Sequence, residues 1–239
     1  NFNIIRIYIR KKDSLEAVEE LLFDVNKMAE GHSYFNLSGL SVSPDNTKVS
    51  FGVDTVSRRK YTIYVKDLLT DKILEESIPL TTGGSTWAND SSTLFYTQKD
   101  EQTLRSNKIF RHRLGTSSLS DVLVFTEADD TFGTFVYKTK SKKFIVIGSY
   151  STLTSEYRIL NADTPFEDFK IFQPRVRGLE YSIAHYDDSF YVLTNKDGAS
   201  NFKLMKTSDD TTTMDHWEEM ISHSEDVLLE DIDIFKDYY

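Results

Sequence analysis

The sequence predicts an all-β fold, a partial β-propeller, on three observations: short alternating apolar runs, an aromatic-rich composition, and a repeat of about 48 residues. A half-buried strand sends successive side chains to opposite faces, so its hydrophobicity oscillates with period two. Ile5-Arg6-Ile7-Tyr8-Ile9, Lys48-Val49-Ser50-Phe51, Tyr61-Thr62-Ile63-Tyr64-Val65 and Phe144-Ile145-Val146-Ile147 are such runs, bounded by Asp, Asn, Ser and Gly turns. With 39% apolar and 13% aromatic residues in 239, there is material for a sizeable core. The repeat is counted on turns centred at Asp45, Asp90, Ser141, Asp187 and Asp237, spaced 45 to 51 residues apart. A second anchor, the middle of each unit's third strand at Tyr64, Phe110, Tyr157 and Leu204, recurs every 46 or 47 residues. A unit of that length has the size of a four-stranded propeller blade, which buries its faces only against neighbouring blades.

In chain order, residues 1–36 read as part of an earlier blade, with strands at Asn3 to Arg10 and Glu19 to Asp24 and a brief helix around Asp24 to Gly31. Residues 37–82 form the first complete unit. Its strands fall at Leu40-Ser41-Val42, Val49 to Val53, Thr62 to Asp67 and Ile73 to Ser77, joined by Ser43-Pro44-Asp45-Asn46 and Leu69-Thr70-Asp71-Lys72. Units at 83–131, 132–177 and 178–224 repeat the pattern through the turns Ala88-Asn89-Asp90-Ser91, Thr139-Lys140-Ser141-Lys142 and His185-Tyr186-Asp187-Asp188. Residues 225–239 begin a further blade at Val227, with a last turn at Phe235-Lys236-Asp237-Tyr238. The whole chain, 1–239, thus reads as one propeller fragment, an excerpt of a larger ring.

Several function classes are disfavoured. No apolar run approaches the ~20 residues of a membrane-spanning helix, and no signal-like core opens the chain. A formal charge of −10 opposes the phosphate neutralisation that nucleic-acid binding needs. Without cysteine there are no disulfides, thiolate metal sites or cysteine nucleophiles, which fits a reducing, cytoplasmic location. No Gly-X-Ser-X-Gly elbow is present; Gly83-Gly84-Ser85 is the nearest fragment, and it reads as a blade-linking turn. His32, His112, His185, His216 and His223 form no metal-binding spacing, so no metal, cofactor or catalytic residue is assigned. Adjacent acids such as Asp187-Asp188 point to opposite strand faces, and Asp45, Asp90 and Asp187 recur where an Asp side chain closes a tight turn. Trp87, Phe95, Tyr96 and Phe110 read as core at strand spacing. Arg58-Arg59-Lys60, between two strands of one unit, is either a solvated loop or a polar contact for a partner domain or a neighbouring blade's carboxylate.

A longer ordered set of strings carries a resemblance. Glu20-Leu21-Leu22-Phe23-Asp24-Val25-Asn26, Ala29-Glu30-Gly31-His32, Ser43-Pro44-Asp45-Asn46, Ser57-Arg58-Arg59-Lys60-Tyr61, Trp87-Ala88-Asn89-Asp90-Ser91, Asp129-Asp130-Thr131-Phe132, Thr139-Lys140-Ser141-Lys142 and Thr154-Ser155-Glu156 follow in order. Over essentially its whole length the chain resembles the propeller portion of the oligopeptidase B (protease II) group in the prolyl oligopeptidase family. The resemblance implies a seven-bladed propeller over an α/β-hydrolase domain, whose Ser-Asp-His triad would lie beyond Tyr239 and whose acidic pockets select Lys or Arg before the cut bond. It further implies that the propeller gates access of short peptides, with Arg58 and Arg59 as candidate domain-contact or gating residues. This chain alone is then expected to be inactive and to need no cofactor. Its expected partners are the hydrolase domain and short peptides, with self-association through uncovered terminal blade faces. The alternative is a stand-alone propeller scaffold that binds a protein partner.

Overall fold

Each short apolar run ends in a polar turn that reverses the chain, and the product is a row of antiparallel sheets. The computed structural model describes residues 7–12 and 14–235. Strands β1 (Ile7–Arg10) and β2 (Glu20–Asp24) pair with each other and lead into the one α-helix among the described residues, α1 (Val25–Met28). The Asp24 carboxylate caps that helix by accepting the N–H groups of Asn26 and Lys27. A seven-stranded sheet follows: β3 (Asn36–Val42), β4 (Lys48–Asp54), β5 (Tyr61–Asp67), β6 (Ile73–Trp87), β7 (Thr93–Lys99), β8 (Ser106–Arg113) and β9 (Val122–Thr126). Two four-stranded sheets complete the arc. The third blade holds β10 (Gly133–Lys138), β11 (Phe144–Tyr150), β12 (Ser155–Asn161) and β13 (Lys170–Ile171), and the fourth β14 (Tyr181–Tyr186), β15 (Ser189–Thr194), β16 (Lys203–Ser208) and β17 (Glu218–Ile221). Strand order equals chain order in each sheet, as in propeller blades.

The seven-stranded sheet is two blades sharing one strand. The first half of β6 pairs with β5, from Ile73 opposite Lys66 to Thr81 opposite Tyr61, and its second half pairs with β7, from Thr81 opposite Gln98 to Trp87 opposite Leu94. Gly83-Gly84-Ser85 therefore links blades from within a strand and not as the turn expected from its glycines. Close backbone approach explains the composition. Gly83 adopts φ +97°, and a Cβ on Gly39 or Gly52 would fall 2.2 or 2.4 Å from the Gly83 carbonyl oxygen.

The expected half-burial also changes on the second strands. Val49 to Asp54 in β4 and Phe144 to Ser149 in β11 are buried on both faces, because each blade is sandwiched between two others. Along β11 the destinations alternate: Phe144 and Val146 join Tyr181, Phe190 and Trp217 between the third and fourth blades, while Ile145 joins Phe95 and Leu160 between the second and third. Trp87, Phe95 and Tyr96 are at most 2% exposed and Phe110 packs against Tyr96, Ile63 and Ile78, so these aromatics are core. At the other end, Phe23 of β2 packs on Val49 and Phe51 of the first blade.

The turns between first and second strands are copies of one another in the first three blades, whereas in the fourth β14 runs through His185 to Tyr186, and a tighter turn of Asp187 and Asp188, with Asp187 at φ 56°, replaces the expected turn from His185 to Asp188. In three of them the first residue's carbonyl accepts the N–H of the fourth: Ser43 from Asn46, Ala88 from Ser91 and Thr139 from Lys142. The fourth residue has positive φ each time, at 58°, 54° and 65°. Asp45 and Asp90 accept the N–H groups of Thr47 and Thr93, and Ser141 takes the equivalent place in the third. From Val227 to Phe235 the described residues form no helix or strand; the expected turn beyond Phe235, like residues 3–6 of the first expected strand, lies outside the described residues.

Candidate domain-contact face

Antiparallel order places the loops of each blade on two faces. Turns between strands one and two, and between three and four, lie on one face. The loops between strands two and three, with the connectors to the next blade, lie on the other, where each blade therefore begins and ends. Arg58 and Arg59 sit on this second face, in the loop between β4 and β5.

That loop is built from its first residue. Asp54, fully buried at the end of β4, accepts the N–H groups of Val56 at 2.9 Å and Arg59 at 2.8 Å, a clasp that holds Ser57 and Arg59 at positive φ. The Arg59 carbonyl accepts a 2.6 Å hydrogen bond from Lys99 Nζ of the second blade. Burial and the Arg59 charge push the Lys99 ammonium pKa below its ordinary value. Both arginine side chains are exposed, on a backbone anchored from two sides, and the structure brings Arg59 together with Lys99, which the sequence pattern did not single out.

A second charged group on this face was likewise not legible. Arg175, in the connector between the third and fourth blades, meets Glu127 at 2.6 Å and Glu156 at 3.6 Å and stacks 3.7 Å over the Phe132 ring. Arg158 also bonds Glu156, while Arg105 donates to the carbonyls of Glu127, Asp129 and Phe132. Both glutamates are buried. Burial pushes the Glu127 carboxyl up, but hydrogen bonds led by Arg175 outweigh it and hold the group below its ordinary range. The signal available in the sequence was positional only, since Glu127 follows the fourth strand of one unit and Arg175 that of the next.

The opposite face carries a serine, a histidine and an aspartate in one hydrogen-bonded chain. Ser141 Oγ lies 2.7 Å from His185 Nδ1, and His185 Nε2 lies 2.8 Å from Asp209 Oδ1. The arrangement clips the third blade to the fourth and is not built for acyl transfer. The imidazole side chain is 0% exposed, and the Ser141 hydroxyl is engaged with Thr139 Oγ1 and the Lys143 N–H of its own turn. Lys143 adds ion pairs to Asp188 and Asp209. His216 and His223 join no cluster of metal-ligating residues among those described.

Comparison with known proteins follows this architecture. Residues 5–239 match the family described as prolyl oligopeptidase, N-terminal beta-propeller domain. The chain is 37% identical over 219 residues to dipeptidyl aminopeptidase BI of Pseudoxanthomonas mexicana, covering 92% of this chain and 30% of that protein. It is 34% identical over 207 residues to Protease 2 of Moraxella lacunata, covering 84% and 30%. Among solved structures it is similar to oligopeptidase B from Leishmania major, with TM-score 0.88, 31% identity and coverage of 95% and 32%. For oligopeptidase B from Trypanosoma brucei the values are 0.84, 28%, 95% and 31%. The chain thus spans about a third of the length of the relatives it matches.

Proposed function

Because the chain belongs to the prolyl oligopeptidase family, as its N-terminal β-propeller domain, we propose that it is the non-catalytic gate of an oligopeptidase B-like serine peptidase. In this reading it controls access of short peptides to an α/β-hydrolase partner domain, which cleaves them after Lys or Arg through an acyl-enzyme. The topology carries the proposal: each blade starts and finishes on the face that presents Arg58 and Arg59, so a domain continuous with this chain meets that face first. Rigid blades leave peptides a narrow route and exclude larger folded chains, and movement of the propeller against its partner admits substrate. The Trypanosoma brucei relative is described as a closed form with covalently bound antipain, a state that a gate of this kind would adopt.

Arg58 and Arg59 act in this scheme as positioning residues. Their guanidinium groups, carried on the loop whose backbone Asp54 clasps, pair with carboxylates of the partner domain and bias the closed state. The test is the Arg58→Ala/Arg59→Ala double variant in the parent peptidase, assayed on a Lys-containing chromogenic peptide and on a folded protein. Weakened closure raises cleavage of the folded protein relative to the peptide. An unchanged ratio, with binding of the two domains also unchanged, overturns the role of these arginines. The 239-residue chain alone is expected to give no turnover of the chromogenic peptide; turnover blocked by a serine-directed inhibitor overturns the non-catalytic assignment.

A further inference from the structure

One group of buried titratable side chains takes no part in the contact face. It lies where the turn between β8 and β9 of the second blade docks on β6, on the face opposite Arg58 and Arg59. The Asp121 and Glu76 carboxylates flank the His112 ring: Nδ1 is 2.7 Å from Asp121 Oδ1, and Nε2 is 4.0 Å from Glu76 Oε2. The His112 and Asp121 side chains are each 1% exposed and that of Glu76 15%. The turn itself is tied to the same strand, because the Gly115 N–H donates to Glu76 Oε2 at 2.6 Å and Ser118 Oγ donates to the Ser77 carbonyl at 3.0 Å.

The group is one hydrogen short. Asp121 Oδ2 accepts from the Tyr96 hydroxyl at 2.9 Å, and a carboxylate has no hydrogen to give, so the hydrogen between Asp121 and His112 belongs to Nδ1. That leaves His112 Nε2 and Glu76 Oε1, both buried and both without a hydrogen-bond partner among the described residues. A neutral imidazole would turn its lone pair toward the Glu76 carboxylate and leave two buried anions with no cation between them, an arrangement penalised by desolvation and repulsion together. No lysine or arginine supplies the charge, since the ion pairs of Glu76 and Asp121 among the described residues are with His112 alone. A hydrogen on Nε2 meets both deficits at once.

The charged and titratable groups facing His112 are Glu76 from β6, Asp121 from the segment leading into β9, and Tyr96 from β7 through its bond to Asp121. Burial and the Asp121 charge push the Tyr96 phenol up, which keeps it a donor. We propose that Glu76, His112 and Asp121 form a proton-operated clip between the first and second blades: a hydrogen on each ring nitrogen of His112 holds both carboxylates, and loss of the Nε2 hydrogen as pH rises repels Glu76 and loosens the Gly115 turn from β6. The device is separate from gating, because it lies on the other face and needs no partner domain.

The test follows the nitrogen-15-labelled 239-residue chain by NMR from about pH 5.5 to 9. At the acid end both His112 ring nitrogens are expected to carry hydrogen, Nε2 to lose its hydrogen as pH rises, and the Gly115 amide signal to move over the same range. Glu76→Gln keeps an acceptor for the Gly115 N–H but removes the negative charge, and is expected to weaken proton binding at Nε2 about tenfold. Glu75→Gln, at the exposed neighbouring position of β6, leaves the titration unchanged, and His112→Gln leaves the Gly115 signal flat. A His112 ring whose hydrogens do not change across the range, a Gly115 signal that ignores the titration, or an unaltered titration in Glu76→Gln each overturns the proposal. The wild-type measurements need no variant and decide the matter even where a variant fails to fold.

Discussion

His185 joins the third blade to the fourth, with Nδ1 2.7 Å from Ser141 Oγ and Nε2 2.8 Å from Asp209 Oδ1. Burial lowers its pKa from the ordinary 6.5, against the opposing pull of Asp209. In the unfolded chain the value returns to 6.5, so below that pH the unfolded state binds more protons than the folded state. The stability contributed by neutral His185 is therefore present above pH 6.5 and lost as pH falls toward the folded value. Asp45, held down to about 2, stays ionised throughout this window and adds no slope. Melting temperatures between pH 7.5 and 5.5 are expected to fall more steeply for the wild type than for His185→Gln; parallel curves would refute the assignment. Beside it, Phe190 is fully buried, with ring centroids 5.0 Å from Phe144 and 4.9 Å from Phe172. Phe190→Ala is expected to cost about 3–5 kcal/mol in urea unfolding. Asp45 and Asp90 were legible in the sequence because their partners lie within three residues, whereas Asp187 occupies a tighter turn at positive φ. His185 was legible only as a turn residue, since Ser141 and Asp209 lie 44 and 24 positions away.

Among the elements, the second strands and β6 show why pattern reading stops where it does. Alternation marks a strand with one wet face, but β4 and β11 have none, and only the stacking of blades explains their continuous burial. Gly83-Gly84-Ser85 has turn composition, yet it lies in a strand because Gly39 and Gly52 bring two other backbones against it. Those contacts are nonlocal and leave no mark at a fixed sequence offset. Gly52→Ala would thrust a methyl group to 2.4 Å from the Gly83 carbonyl, where the obstacle is backbone and cannot rotate away. A loss of about 2–3 kcal/mol is expected, read as a lower urea midpoint at unchanged slope. Loss of Arg175 is costly for a different reason, because Glu127 is left buried without its cation. Arg175→Ala is expected to destabilise by about 3 kcal/mol, and Glu127→Gln in the same chain to recover part of it; simple additivity of the two changes argues against the pairing.

For the molecule as a whole, the all-β class, the arc of blades and the turns that pace it were legible, because a propeller repeats its local signals at a fixed period. The candidate contact face was legible only through Arg58 and Arg59; Lys99, Arg175 and Glu127 reach it by blade stacking, which a single sequence does not encode at any one offset. The arc also leaves apolar surface on its first strand pair, where Ile7, Ile9 and Leu21 are each more than half exposed. Light scattering of the 239-residue chain is expected to show apparent mass rising with concentration, and Ile9→Lys to suppress the rise. A constant monomer mass across the range would contradict this.

The continuity of β6 has a consequence for how this protein opens. Thr81 hydrogen-bonds in register with Tyr61 on one side and Gln98 on the other, so fraying of either flank disturbs the other through a single peptide backbone. Deuterium uptake should divide accordingly: amides of the shared sheet exchange as one cooperative block, while the two four-stranded sheets exchange with separate free energies of their own.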